Sequence, residues 1–199
     1  ADLADLPDMD GDAGMASLES IKWTSLQNNI WKPVICAVNG IACGGGLHFV
    51  ADSDIVIASD NATFFDTHVK VGLVAGLEPV SLSRKIPLER VLRMSLIGGA
   101  EKIDANEAKS IGLISEITKN ENLMARAIEI ANKIKIHSPS ALAKTKKAIW
   151  QSQEMGLQDA LLNAWKLISE QQIHPDFEEG AKAFNEKRSP KWKPYNPNE

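Results

Sequence analysis

The feature that most constrains this chain is a strand-like apolar run that ends in a glycine-rich bend. Pro33-Val34-Ile35-Cys36-Ala37-Val38 is rich in β-branched residues and reads as a buried strand. Asn39-Gly40-Ile41-Ala42-Cys43-Gly44-Gly45-Gly46-Leu47-His48 follows, and Leu47 to Asp52 reads as a short helix. A strand, a bend of bare backbone and a helix start aim N–H groups at a ligand oxygen. Glycine permits close approach, and the helix N-terminus adds positive potential. Such a bend suits a phosphate, the oxyanion of a reacting carbonyl, or no ligand at all, as a plain structural turn. The sequence holds neither G-x-x-x-x-G-K-[ST] nor a G-x-G-x-x-G fingerprint after a strand, which argues against a nucleotide-type phosphate site.

Composition narrows the class. The 199 residues fit one ordinary domain with a real core, and the net charge is −4. No basic stripe interleaves with aromatics, so a nucleic-acid partner is not expected. No apolar run reaches the length of a membrane span and no signal-peptide pattern opens the chain, so a membrane partner is not expected either. Cys36 and Cys43 are the only cysteines and read as small buried thiols of a reduced, intracellular protein, with the cytoplasm as the expected location. No His/Cys cluster has metal-ligand spacing.

Periodicity gives a coarse organisation. Met15 to Trp31 predicts a helix that Pro33 closes. Ile55-Val56-Ile57-Ala58 and Ala62-Thr63-Phe64-Phe65 predict strands around an Asp60-Asn61 turn. Gly72 to Gly76 predicts a loop returning toward the bend, and helices follow over 79–86 and 88–96, broken by Pro87. Asp104 caps a helix that Gly112 ends, and Leu113 to Ile117 predicts a strand. Helices are then expected over 122–135, 139–153, 157–172 and 176–187, before an extended or disordered tail with Pro194 and Pro197. The expected organisation is an α/β core over 1–117, a helical region over 118–190 and a tail over 191–199. Only about three strands are legible, a marginal sheet by itself. The core is therefore expected to lack an N-terminal portion or to be completed by other subunits.

Several spaced motifs resemble the crotonase superfamily, the enoyl-CoA hydratase/isomerase family. Lys32 to Gly46 is similar to its K-P-x-I-A-A-V-x-G-x-A-x-G-G-G run. Asp52 to Ala58, Val71-Gly72-Leu73, Ile103 to Ile114 and Ala183-Phe184-Asn185-Glu186-Lys187-Arg188-Ser189-Pro190 resemble later family segments in the same order. The resemblance implies a spiral of ββα turns with a C-terminal helical region used for trimer assembly, as a trimer or dimer of trimers. It implies an acyl-CoA thioester substrate, with coenzyme A as part of the substrate and no other cofactor. It also implies two backbone N–H groups on the thioester oxygen, which stabilise an enolate-like or tetrahedral anion.

Carried over residue by residue, one oxyanion donor is Gly45. The other is Ala1, the alanine of a G-A-D-L motif whose last three residues are Ala1-Asp2-Leu3. A sequence that opens inside that motif is expected to lack residues ahead of Ala1. Ala1, Asp2, Leu3, Gly44, Phe184 and Lys187 are the expected substrate or CoA contacts. A helix-end charge explains Lys187 almost as well.

The chain departs from the hydratase pattern at both acid/base positions. The family's two glutamates correspond to His48 and His68. Imidazole ordinarily titrates at roughly 6.5, so it is acid or base near neutrality, and two nearby imidazoles split their titration. His48 and His68 are therefore the candidate catalytic pair. Glu78 is the remaining nearby carboxylate, either facing substrate or charging a helix N-terminus. Asp52 and Asp66 read as turn or capping residues, and His137 and His174 carry no assigned chemistry. The reaction implied is hydration of an enoyl-CoA, double-bond isomerisation, or hydrolytic C–C cleavage of a β-dicarbonyl. A non-catalytic CoA-binding scaffold is the alternative.

Overall fold

The computed structural model describes residues 21–197. Within them the strands alternate between two small sheets. β1 (Ile35–Val38), β3 (Ile55–Ser59) and β6 (Glu116–Thr118) form a parallel sheet in the order β1-β3-β6. β2 (Ile41–Cys43), β4 (Thr63–Phe65) and β5 (Ile103–Asp104) form the second, with β2 parallel and β5 antiparallel to β4. Consecutive strands such as β1 and β2, or β3 and β4, therefore belong to different sheets, and helices intervene before the next pair. This is the ββα spiral that the resemblance implied.

The strands read as unbroken apolar runs because the first sheet is covered on both faces. Val38, Val56 and Ala58 face a cluster with Leu47, Val50, Phe64 and Leu82, while Ile57 faces Leu123 and Ala127 behind. The helices are α1 (Leu47–Ala51), α2 (Leu77–Leu82), α3 (Leu88–Leu96), α4 (Ala105–Ser110), α5 (Leu123–Ile134), α6 (Pro139–Ser152), α7 (Leu157–Gln172) and α8 (Pro175–Asn185). Asp104 caps α4 by accepting from Glu107 N at 2.8 Å. Gly112 closes α4 at φ 81°, with Leu113 N donating to Ala108 O at 2.8 Å, a Schellman ending.

Four expectations are corrected or sharpened. Residues 15–20 of the expected first helix lie outside the described residues, and 21–31 form no helix; 24–29 is a turn. The Gln27 side chain accepts from the backbone of Trp23 (2.8 Å) and Thr24 (3.1 Å), and Asn29 takes φ 55°, so the backbone bonds from Asn28 N to Thr24 O and from Ile30 N to Ser25 O close one turn and go no further. Part of the glycine bend, Ile41–Cys43, is a strand, made one by its pairing with β4. The strand expected at 113–117 starts three residues later, because Leu113 and Ile114 complete the α4 ending and Ser115 N donates to Val56 O. The tail is extended and anchored: Trp192 Nε1 donates to Ile136 O at 2.7 Å, and Lys193 N to Asp176 at 2.8 Å.

α6 is bolted to the core by a buried polar cluster. Asp54 accepts from Lys146 Nζ at 3.0 Å, Trp150 Nε1 at 2.6 Å and Val34 N at 2.7 Å. Beside it, Lys85 Nζ donates to Val50 O (3.1 Å) and Ser53 O (2.6 Å) at the end of α1, and lies 5.3 Å over the Trp150 ring. Burial pulls the Lys85 ammonium down to about 8, against the opposing pull of Asp52 and Asp54. The Cys36 thiol is pushed up by its burial.

Candidate active site

The glycine run folds as one tight helical turn, Gly44–Gly46, running straight into α1. The first amides of such a turn have no acceptor within it, so they are free for a ligand by construction. Gly45 is exposed, and a Cβ there would meet nothing within 4 Å. Gly44 is different. It is buried at φ 49°, and a Cβ there would stand 3.4 Å from His68 Cε1. Its missing side chain lets the His68 ring lie against the turn.

His68 starts a second tight turn, Val69–Val71, that Gly72 closes at φ 78°. The carboxylate of Asp66, fully buried, accepts from His68 N at 2.8 Å and meets His68 Nδ1 at 2.9 and 3.1 Å. An ionised carboxylate only accepts, so it assigns the ring proton to Nδ1 and leaves Nε2 with a lone pair. The His68 side chain is 24% exposed. The Gly98-Gly99 turn backs this segment, with Gly99 at φ 83° against Thr67 and Phe65.

His48 lies on α1 just beyond the glycines and is 1% exposed. Its Nδ1 is 3.5 Å from the Gln27 carboxamide nitrogen, a donor, which places the ring proton on Nε2. Nε2 is 3.2 Å from Glu78 Oε1, yet no acceptor lies in line with its N–H among the described residues. The contact is an electrostatic one, and a buried donor is left without a hydrogen bond. Trp23 packs on His48 in a T-shaped contact, with ring centroids 4.9 Å apart.

The structure thus brings His48, His68, Glu78, Gly44 and Gly45 to one place around the glycine turn. Each imidazole has its own carboxylate. Glu78 lies in the first turn of α2, as the helix-N-terminus reading has it, and its carboxylate faces His48. Ala1, Asp2 and Leu3 lie outside the described residues. Phe184 is 84% exposed on α8, and no hydrogen bond or ion pair among the described residues ties it or Lys187 to the histidines. Lys187 takes the left-handed φ of 53° at the end of α8, where Lys187 N donates to Phe184 O and Arg188 N to Ala183 O. That ending normally carries glycine. Asp66 was missed as a site residue. The Asx turn to His68 N is the local signal it offered, and the ring contact comes with it.

No helix among the described residues is long and apolar enough to cross a membrane, and they hold no group of side chains placed to bind a metal. Comparisons with known proteins agree with the geometry. The sequence profile of the family described as enoyl-CoA hydratase/isomerase matches residues 4–195. The mevalonyl-coenzyme A hydratase of Aspergillus fumigatus is 37% identical over 82% of this chain and 61% of its own length. The (E)-benzylidenesuccinyl-CoA hydratase of Thauera aromatica is 39% identical over 81% and 62% respectively. The 2,3-dehydroadipyl-CoA hydratase of Escherichia coli is 34% identical over 97% and 75%. The chain therefore spans about three fifths of the first two relatives. A crystal structure of an enoyl-CoA hydratase/isomerase from Mycobacterium paratuberculosis superposes with a TM-score of 0.82 at 40% identity, covering 90% of this chain and 72% of that one. With the ββα spiral, the glycine turn and a family profile spanning nearly all of its length, this chain belongs to the enoyl-CoA hydratase/isomerase family, of crotonase fold.

Proposed function

We propose that the protein processes acyl-CoA thioesters by adding water to an enoyl-CoA, with histidines in place of the family's two glutamates. The observation that carries this reading is two imidazoles beside the glycine turn, each facing a carboxylate at one ring nitrogen, Asp66 on His68 and Glu78 on His48. His68 offers a lone pair at Nε2, and His48 offers an N–H at Nε2 that has no in-line acceptor. The groups beside each ring thereby give the two imidazoles different roles, His68 as base and His48 as N–H donor. Gly45 N–H and Ala1 hold the thioester oxygen as it gains charge, and Gly44 supports the base. The hydratase names of the relatives support water addition over isomerisation or C–C cleavage.

The rest of the proposal follows the family. α7 presents Leu157, Leu161, Leu162, Trp165 and Ile168 to solvent, an apolar face of the kind that packs against another subunit. It fits a homo-oligomer, trimer or dimer of trimers, in which Phe184 and Lys187 of α8 reach CoA across an interface. Placement in the cytoplasm belongs to the same proposal.

The test is mass spectrometry of the complete protein with a panel of 2-enoyl-CoA thioesters in deuterated water. Water addition that is lost in His68→Ala and in His48→Ala, both folded, is the expected result. Unchanged turnover in both variants overturns the histidine reading. Binding of every thioester without conversion favours the scaffold subunit.

A further inference from the structure

Asp66 is a fully buried carboxylate, and among the described residues no lysine or arginine lies within ion-pair distance of it. Burying such a charge is costly unless a partner compensates it. Its turn-forming duty, accepting from His68 N, needs one oxygen and no charge; asparagine performs it equally well. The second oxygen, 2.9 Å from His68 Nδ1, is unnecessary to the turn. What the charge adds is control of the ring: it holds the proton on Nδ1 and faces any positive charge the ring acquires.

We propose that Asp66 is the positioning residue for His68, forming an Asp66–His68 dyad that keeps Nε2 as the base at the glycine turn. The proposal rests on His68 being the base of the reaction above. In that reaction Nε2 takes a proton from water while the water oxygen bonds to Cβ. The C=C π pair moves onto the thioester oxygen, giving an enolate. The proton held at His68 Nε2 then passes to Cα as the enolate collapses, with the Asp66 carboxylate facing the ring's positive charge in between. One water is consumed and His68 returns to neutral. Asp66 touches no substrate and acts only through the ring.

The perturbation is Asp66→Asn. The asparagine oxygen keeps the turn, and its amide now donates toward Nδ1, which moves the ring proton to Nε2 and removes the base. Two readouts follow, using the panel thioester that the wild-type protein converts. The kcat falls by about a thousandfold with KM within roughly threefold, the scale expected when an imidazole is held in the wrong tautomer. Nitrogen-15 NMR of the histidines shows the pyridine-like nitrogen of His68 shifting from Nε2 to Nδ1, which a merely structural role for Asp66 does not produce. A kcat within threefold of wild type, or an unchanged tautomer in the variant, overturns the dyad. If Asp66→Asn does not fold, the wild-type spectrum decides: a neutral His68 protonated on Nε2 overturns it. His68→Ala separates the two levels. Full turnover in His68→Ala removes the underlying reading, whereas inactive His68→Ala with active Asp66→Asn removes only the dyad.

Discussion

Asp54→Asn should destabilise the protein more than Lys146→Met, although both break the same ion pair. Lys146 is 5% exposed at its side chain and Asp54 17%. Without the Asp54 charge, the buried ammonium keeps only Lys32 O, at 2.9 Å, among the described residues. Without Lys146, the carboxylate keeps Trp150 Nε1 at 2.6 Å and Val34 N at 2.7 Å, and touches more solvent. Leaving one charge of a buried pair uncompensated costs about 3–5 kcal/mol. The amide oxygen of asparagine retains part of the network, so Asp54→Asn is placed at about 3 kcal/mol. Lys146→Met falls at about 1–2 kcal/mol, because two hydrogen bonds remain on the carboxylate and the methionine fills the lysine stem's space. The double variant removes both charges and should be less destabilised than the sum of the singles. The assay is urea denaturation followed by circular dichroism, comparing midpoints at constant slope. A loss of about 3 kcal/mol corresponds to roughly 6–12 °C in Tm for a domain of this size. Equal costs, or a larger cost for Lys146→Met, would refute the premise that the buried ammonium depends on Asp54 more than the carboxylate depends on Lys146.

Other perturbations test other parts of the fold. Lys85, pulled down to about 8 by burial, is an ammonium disfavoured in the folded state. The unfolded chain binds more protons between the folded value and roughly 10.4, so stability from this group rises with pH there. Denaturation of wild type against Lys85→Met should show the gap moving in favour of wild type by about 2 kcal/mol from pH 7.5 to pH 10; a constant gap would show the lysine unperturbed. Gly99→Ala places a Cβ 2.8 Å from Thr67 Cγ2 at φ 83°, which costs about 1–3 kcal/mol in thermal unfolding. The same change presses on Thr67, the residue that links Asp66 to His68 in the chain, so turnover should fall more than stability does. Lys187→Gly relieves a left-handed φ of 53°, and the melting midpoint should rise by the equivalent of up to about 1 kcal/mol. A simultaneous rise in KM for acyl-CoA would place Lys187 on the ligand, and an unchanged KM would leave it a helix-end residue.

Much of the framework is local and therefore legible along the chain. Asp104 and Gly112 carry the start and stop of α4 in their own side-chain and backbone preferences. The spacing of apolar residues gives α5 to α8 within a few residues, and the glycine run gives the turn and the helix that follows. The histidines stand at readable positions for the same reason. Asp66 was legible only as a turn residue, because sequence shows the i, i+2 spacing but not that the carboxylate is sealed from water.

What the tertiary structure decided lies between elements. Met15 to Trp31 has helical periodicity, yet Gln27 and Thr24 spend their hydrogen bonds on neighbouring backbone and on Asp52, and 24–29 becomes a turn over the site. Ile41–Cys43 is a strand only because β4 runs beside it. Glu78 faces His48 because α2 packs on α1, a contact across thirty positions that no local pattern encodes. The sequence by itself determined which residues prefer to turn, coil or extend and placed two imidazoles at the site. Only the packing of distant segments set Glu78 against His48 and sealed the Asp66 carboxylate behind His68 from water.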